Sequence, residues 1–260
     1  AETRLPVGGR VAAGHPLGRD SQRGEAIRIF TGAPMPDGMD TVFMEEDVDI
    51  DGDSVVLPAG LKRGSNRRHA GEDVRRGSVI LGAGSRLRPQ EVGLAASIGR
   101  TTLPVIRRLR VAVFSTGDEV RDPGADIGPG CIYDANRYAL MGLLDDLGSA
   151  VTDLGILADD LETIQGALGK ASADHDLIIT SGGVSLGEED HVKAAVEAFG
   201  SLHFWRLAIK PGRPVALGQV GSSAFIGLPG NPVAAMGTFM VVARPLILRL
   251  SGCQDVAPPL

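Results

Sequence analysis

Apolar and polar residues follow two different rhythms along these 260 residues. Up to about residue 107, short apolar runs alternate with glycine, proline and charge. They are Ile27-Arg28-Ile29-Phe30, Thr41-Val42-Phe43-Met44 and Val55-Val56-Leu57. Runs this short, rich in β-branched and aromatic residues, predict strands, and Asp51-Gly52 predicts a hairpin turn. From Arg88-Pro89 onward, Val92, Leu94, Ala95 and Ile98 predict a helix that Pro89 opens and Gly99 stops. Beyond residue 107 the rhythm changes. Val111-Ala112-Val113-Phe114 is continuously apolar, as in a strand buried on both faces of a parallel sheet. Asp134 predicts the N-cap of a helix whose Tyr138, Met141, Leu144 and Leu147 form the inward stripe. Strands at 151–157 and 177–179 then alternate with helices through Leu161, Ile164 and Leu168, and through Val192, Val196 and Phe199. That alternation predicts a three-layer αβα domain with a mostly parallel sheet, preceded by a small β-rich module. The expected divisions are 1–67 for the β-rich module, 68–107 for a linking segment and 108–250 for the α/β domain.

Composition narrows the function classes. A formal charge of −6 supplies no broad basic field, which argues against nucleic acid as a partner. Lys62, Arg63, Arg67 and Arg68, and likewise Arg107, Arg108 and Arg110, read as solvated clusters. Cys131 and Cys253 are too few for a disulfide framework or a cysteine metal site, and fit a reducing cytoplasm. The polar opening, broken by Pro6, Gly8 and Gly9, does not read as a signal peptide. The apolar run 233–243 is shorter than the roughly 20 residues of a membrane span and meets Arg244 and Pro245, so it reads as a buried helix. The absence of a start methionine and the stop at Pro258-Pro259-Leu260 suggest part of a longer protein.

Glycine-rich turns with charged or hydroxyl side chains carry the candidate chemistry. Leu177-Ile178-Ile179 runs into Ser181-Gly182-Gly183-Val184-Ser185, and a helix follows Asp190. Loop amides and a helix N-terminus favour an anion. Asp190 either caps that helix or holds a divalent cation bridging the anion. If 202–209 is a strand, Trp205, Leu207 and Ile209 share one face and Arg206, Ala208 and Lys210 the other. Pro211 and Pro214 then stiffen the loop presenting Arg213, an arrangement that suits an oxyanion or a solvated sheet edge. Asp118 and Glu119 end the first strand of the α/β domain, where side chains of open sheets meet ligands. Asn231-Pro232 reads as an N-cap followed by proline at the first helical position. The five histidines show no metal-binding spacing, and only His191 lies near the candidate site.

These motifs resemble a known family. Ile29-Phe30-Thr31-Gly32-Ala33-Pro34-Met35-Pro36, Gly71-Glu72-Asp73-Val74, Ser115-Thr116-Gly117-Asp118-Glu119, Ser181-Gly182-Gly183-Val184-Ser185, Lys210-Pro211-Gly212 and Gly227-Leu228-Pro229-Gly230-Asn231-Pro232 follow in that order. They are similar to motifs of the molybdopterin molybdenumtransferases, the MoeA-type family that includes the gephyrin E domain. The resemblance implies insertion of molybdate into adenylylated molybdopterin, release of AMP, and an assisting divalent cation such as Mg2+. It also implies a homodimer, contact with the molybdopterin adenylyltransferase, and a C-terminal β domain of which 251–260 would be the start. By motif, Thr31, Asp73, Glu119, Asp190 and Lys210 take catalytic positions, with Asp190 and Glu119 at the metal. Ser181, Gly182, Gly183, Ser185, Arg206, Lys210, Arg213, Pro229 and Gly230 take ligand-binding positions. Arg206 and Arg213 stand where the family usually has lysine, which keeps the charge and changes donor geometry. Two other readings remain: a molybdopterin adenylyltransferase, which has no need of residues 24–107, and a non-catalytic molybdopterin-binding scaffold.

Overall fold

The computed structural model describes residues 2–183, 191–206 and 214–257; the side chains of 204–206 and 214 lie outside the description. The chain divides into two units, Ala1–Val79 and Ile80–Leu260.

The first unit is built on a four-stranded sheet of β1 (Thr3–Val11), β2 (Ala26–Ile29), β3 (Asp49–Asp51) and β4 (Ser54–Leu57), in the order β2-β1-β4-β3. β3 and β4 pair antiparallel around Asp51–Ser54, and Gly52 takes a left-handed φ of 62°, as the Asp-Gly signal requires. β1 is an inner strand, parallel to β2 and antiparallel to β4, yet its sequence hides it. Pro6, Gly8 and Gly9 look like breakers; here the glycines admit a close approach. A methyl on Gly8 would overlap the Glu25 carboxylate, and Arg19 donates to both Gly8 O (2.7 Å) and Glu25 (2.8 Å). The expected strand at Thr41-Val42-Phe43-Met44 is instead irregular. Its polar groups pair with a loop: Val42 N donates to Ser65 O (3.1 Å), Gly64 N to Thr41 Oγ1 (3.0 Å), and Asn66 Nδ2 to Val42 O (2.9 Å).

The second unit opens with α1 (Pro89–Ser97), whose first turn is closed by Glu91 Oε2 accepting from Arg88 N at 2.9 Å. Only Ala95 of its apolar positions is buried; Val92 and Ile98 are exposed. Next come β5 (Arg110–Thr116), β6 (Val120–Arg121), β7 (Ile132–Tyr133), α2 (Asn136–Asp146), β8 (Ala150–Leu157), α3 (Leu161–Asp174) and β9 (Leu177–Ser181). α4 (His191–Phe199), β10 (Gly200–Arg206), β11 (Pro214–Val220), β12 (Ser223–Leu228), α5 (Pro232–Thr238) and α6 (Arg244–Leu250) complete it. The main sheet has the order β10-β11-β12-β9-β5-β8. Its β12, β9, β5 and β8 run parallel, while β10-β11 and β11-β12 pair antiparallel.

Side-chain alternation on the central strands explains the three layers. Val111, Val113, Leu177 and Ile179 face Leu140, Leu144, Phe239, Ala243 and Ile247 of α2 and the C-terminal helix. Ala112, Phe114 and Ile178 face Ile164, Leu168, Val192 and Val196 of α3 and α4. The inward stripe of α2 is Arg137, Leu140 and Leu144, whereas Tyr138 is exposed. An arginine on the buried stripe is what the apolar spacing could not signal.

The C-terminal helix is longer than its apolar run. It continues from Pro232 to Leu250 (19 residues, mean hydropathy 1.6), long and apolar enough by composition to cross a membrane. Its inner residues Ala235, Phe239, Ala243 and Ile247 are instead buried within this unit. Pro245 does not end it, and the turn Phe239–Ala243 is a π-turn. Arg244 N reaches back five residues to Phe239 O, directly before the proline that has no N–H to give.

Candidate functional site

The C-terminal ends of β5, β9 and β12 lie side by side, with Ser181 opposite both Ser115 and Leu228. The chain leaving β9 next enters α4 on one face of the sheet, whereas the chain leaving β12 enters α5 on the other. Diverging connections of that kind open a crevice at the strand ends. The cavity found there is lined by Ser115, Thr116, Glu119, Asp134, Asn136, Ser181, Gly182 and Gly230, among others.

The turn after β9 is fixed by backbone geometry that only glycine meets. Gly182 and Gly183 take φ of 86° and 64°. A methyl on Gly182 would sit 2.9 Å from Thr116 O, and one on Gly183 would sit 2.6 Å from Thr116 Cγ2 and 2.7 Å from Val192 Cγ2. Gly182 N also donates to Leu228 O at 3.1 Å. The turn therefore lies tight between the neighbouring strand ends.

Asn136 ties this turn to the one after β12. Its Nδ2 donates to Ser181 Oγ (2.7 Å) and to Gly230 O (2.8 Å), and Ser181 Oγ reaches Pro229 O at 3.4 Å. Asn231 Oδ1 accepts from Ala234 N (3.0 Å) and caps α5, as its sequence position implies. On the other side, Asp134 Oδ1 accepts from Arg137 N (3.1 Å), so Asp134 closes the first turn of α2.

Arg137, with a side chain 2% exposed, lies beneath that turn beside Asp122, Asp134 (3.3 Å) and Asp153 (3.3 Å). Burial lowers its pKa, but the carboxylates of Asp153, Asp122 and Asp134 outweigh that and raise it, so the guanidinium is charged at every ordinary pH. The Nε–Oδ2 contact to Asp134 is an ion pair without hydrogen-bond alignment, which leaves Asp134 Oδ2 without a hydrogen-bond partner. Among the described residues, Ser115 Oγ and Thr116 Oγ1 are likewise buried and find no hydrogen-bond partner. Leaving a buried hydroxyl unpaired costs about 1–3 kcal/mol, so Ser115 and Thr116, both lining the cavity, mark a polar strand end there.

Of the residues singled out from the sequence, Glu119, Ser181, Gly182 and Gly230 line this cavity, and Gly183 and Pro229 adjoin it. Glu119 is exposed at its rim. Thr31 and Asp73 belong to the first unit: Thr31 is exposed on a turn closed by Ala33 N to Phe30 O (3.0 Å), and Asp73 accepts from Arg68 Nη1 at 2.6 Å. Ser185, Asp190, Lys210 and Arg213 lie outside the described residues, as does the side chain of Arg206 at the end of β10. Among the described residues, no group of three His, Cys, Asp or Glu side chains is arranged around a metal. Asn136, Asp134 and Arg137 were absent from the sequence-derived site. The signal available in the sequence is their clustering at the start of α2.

Comparison with known proteins agrees with the motif order. Residues 112–249 match the family described as "Probable molybdopterin binding domain", and residues 1–99 match "MoeA N-terminal region (domain I and II)". A molybdopterin molybdenumtransferase from Haemophilus influenzae is 43% identical over 256 residues, covering 98% of this chain and 63% of that protein. Molybdopterin molybdenumtransferase 2 from Mycobacterium tuberculosis is 38% identical, with 98% and 64% covered. A crystal structure of the molybdopterin biosynthesis moeA protein from Pyrococcus horikoshii superposes with a TM-score of 0.75 at 28% identity, covering 98% of this chain and 62% of that one. The chain thus spans less than two thirds of the length of the curated relatives it matches.

Proposed function

The chain belongs to the MoeA family of molybdopterin-binding proteins, and from that premise we propose that it inserts molybdate into adenylylated molybdopterin. In this reaction water cleaves the phosphoanhydride so that AMP leaves, and molybdate takes the two dithiolene sulfurs as ligands while one of its oxo groups departs as water with the two thiol protons. The observation that carries the reading is the cavity where β5, β9 and β12 end, with buried hydroxyls unpaired and a glycine turn fixed at its wall.

The residues divide the work by charge. Ser181, Gly182, Gly183 and Ser185 receive the phosphate oxygens, with Pro229 and Gly230 forming the opposite wall. Arg206, Lys210 and Arg213 offset the charge of molybdate. Glu119, at the rim, offers hard oxygen donors of the type Mg2+ prefers, and Asp190 is assigned the second carboxylate. A magnesium site made of one or two carboxylates completed by substrate phosphates and water needs no larger protein cluster. When bound, the ion supplies charge neutralisation at the phosphoanhydride. Thr31 and Asp73 keep the catalytic roles that their motifs imply, and the protein is assigned to the cytoplasm as a homodimer. The molybdopterin adenylyltransferase is the expected supplier of substrate.

The direct test supplies adenylylated molybdopterin, molybdate and magnesium and measures AMP release. Release that requires molybdate is the expected result; retention of the nucleotide with no release identifies a binding scaffold instead. Lys210→Ala should raise the molybdate concentration for half-maximal turnover at least about tenfold, roughly 1.4 kcal/mol, while affinity for the adenylylated pterin falls less. Equal losses for both ligands would assign Lys210 to the nucleotide.

A further inference from the structure

One guanidinium among three carboxylates is an unusual use of a buried position. Asp122 follows β6, Asp134 precedes α2, and Asp153 stands on β8, so the contacts to Arg137 join three separate elements. Asp153 reaches it because β8 is bulged. The register runs from Val113 opposite Asp153 to Ser115 opposite Ile156, which leaves one extra residue on β8 at Leu154-Gly155. Gly155 takes a φ of 77°, its N–H donates to Asp153 Oδ1 (2.8 Å), and a methyl there would sit 3.3 Å from Arg137 Nη1. Bulges of this kind re-aim a side chain, and this one turns Asp153 toward the guanidinium.

Stability does not explain the arrangement well. Only the Arg137–Asp134 pair is buried, and such pairs are often replaced by apolar groups at no cost, while Asp122 and Asp153 are 54% and 39% exposed and so screened by water. Its geometric consequence is more specific. Arg137 immediately follows Asn136, whose amide bridges Ser181 and Gly230, and its own N–H is held by Asp134, which lines the cavity.

We propose that Arg137 is a positioning residue. By drawing Asp122, Asp134 and Asp153 together, it fixes the first turn of α2 so that Asn136 holds the glycine turn after β9 against the turn after β12. The inference rests on the reading that this cavity receives the phosphate of a molybdopterin, but its mechanical part is independent of the ligand.

Two variants test it: Arg137→Lys, which keeps a charge but loses the planar fork, and Asp153→Ala, which removes a partner outside the cavity and 39% exposed. Amide hydrogen exchange is the first readout. Exchange at Gly182, whose N–H is bonded to Leu228 O, should accelerate at least about fivefold in each folded variant, while Ile178 and Ile179 in the centre of β9 stay protected. The second readout is the affinity for purified molybdopterin, expected to fall at least about fivefold in each variant and to fall no further when either is combined with Asn136→Ala. Unchanged exchange at Gly182 overturns the proposal, and so do affinity losses that add to that of Asn136→Ala. If the parent protein binds no molybdopterin, the ligand reading fails and the exchange result alone decides the role of Arg137. Should Arg137→Lys fail to fold, Asp153→Ala gives both readouts.

Discussion

Replacing Gly182 by alanine separates a pinned turn from a merely flexible one. Two costs are expected. The left-handed φ of 86° costs an alanine about 1–2 kcal/mol. The new methyl would also sit 2.9 Å from Thr116 O, a backbone atom at the end of a strand buried on both sides, which cannot swing away as a side chain could. Overpacking of that sort costs about 1–3 kcal/mol, so the sum is about 2–5 kcal/mol. Gly142 is the control: it lies within α2 with nothing within 4 Å of an added methyl, so Gly142→Ala should stabilise by about 0.5–1 kcal/mol. The sequence has a single tryptophan, Trp205 on β10, so its fluorescence in urea reports the second unit. The midpoint should fall for Gly182→Ala and rise for Gly142→Ala, with the slope unchanged in both. Coincident midpoints for Gly182→Ala and the parent would refute the reasoning, since a turn that absorbs a methyl without cost is not fixed against Thr116.

Other outcomes follow from the same contacts. Asn136→Ala should cost about 1–3 kcal/mol in the same denaturation assay, because it strips Gly230 O of a donor and leaves Ser181 Oγ with a single long bond; no change would mean water replaces the amide. Leu144→Ala, at a fully buried site facing β5 and β9, should cost about 2–5 kcal/mol, and a cost below 1 kcal/mol would contradict the packing of α2 on the sheet. Arg107 donates to both carboxylate oxygens of Asp176 (2.6 and 2.7 Å), with help from Arg110 N, and holds the Asp176 pKa well below the ordinary range. A depressed carboxylate contributes its full stability above the unfolded pKa, near 3.9, and loses it as pH falls toward the folded value. Asp176→Asn should therefore destabilise more at pH 7 than in acid below the unfolded pKa; an equal difference at both, measured by thermal melting, would exclude this pair as the cause.

Much of the architecture was determined by the sequence alone, because burial on a sheet and on a helix leaves distinct periods. The runs at 111–114 and 177–179 are apolar at every position since helices cover both faces of the central strands, and Asn231-Pro232 marks a helix start through local chemistry. Motif order likewise identified the family, since each glycine turn carries its own pattern of neighbours. What remained hidden depends on partners distant in the chain. β1 reads as broken because Gly8 is there to admit Glu25, and residues 41–44 read as a strand although their partner is a loop. The helix runs on through Pro245 across a π-turn in which Arg244 N reaches Phe239 O, a backbone pairing that the residue pattern does not announce. Tyr138 was counted on the inward stripe in place of Arg137 because periodicity recognises only apolar residues, and a guanidinium is buried only where folding brings carboxylates to it. Asp122, Asp134 and Asp153 are far enough apart in the chain that no local pattern joins them; the bulge in β8 and the first turn of α2 bring them to one charge.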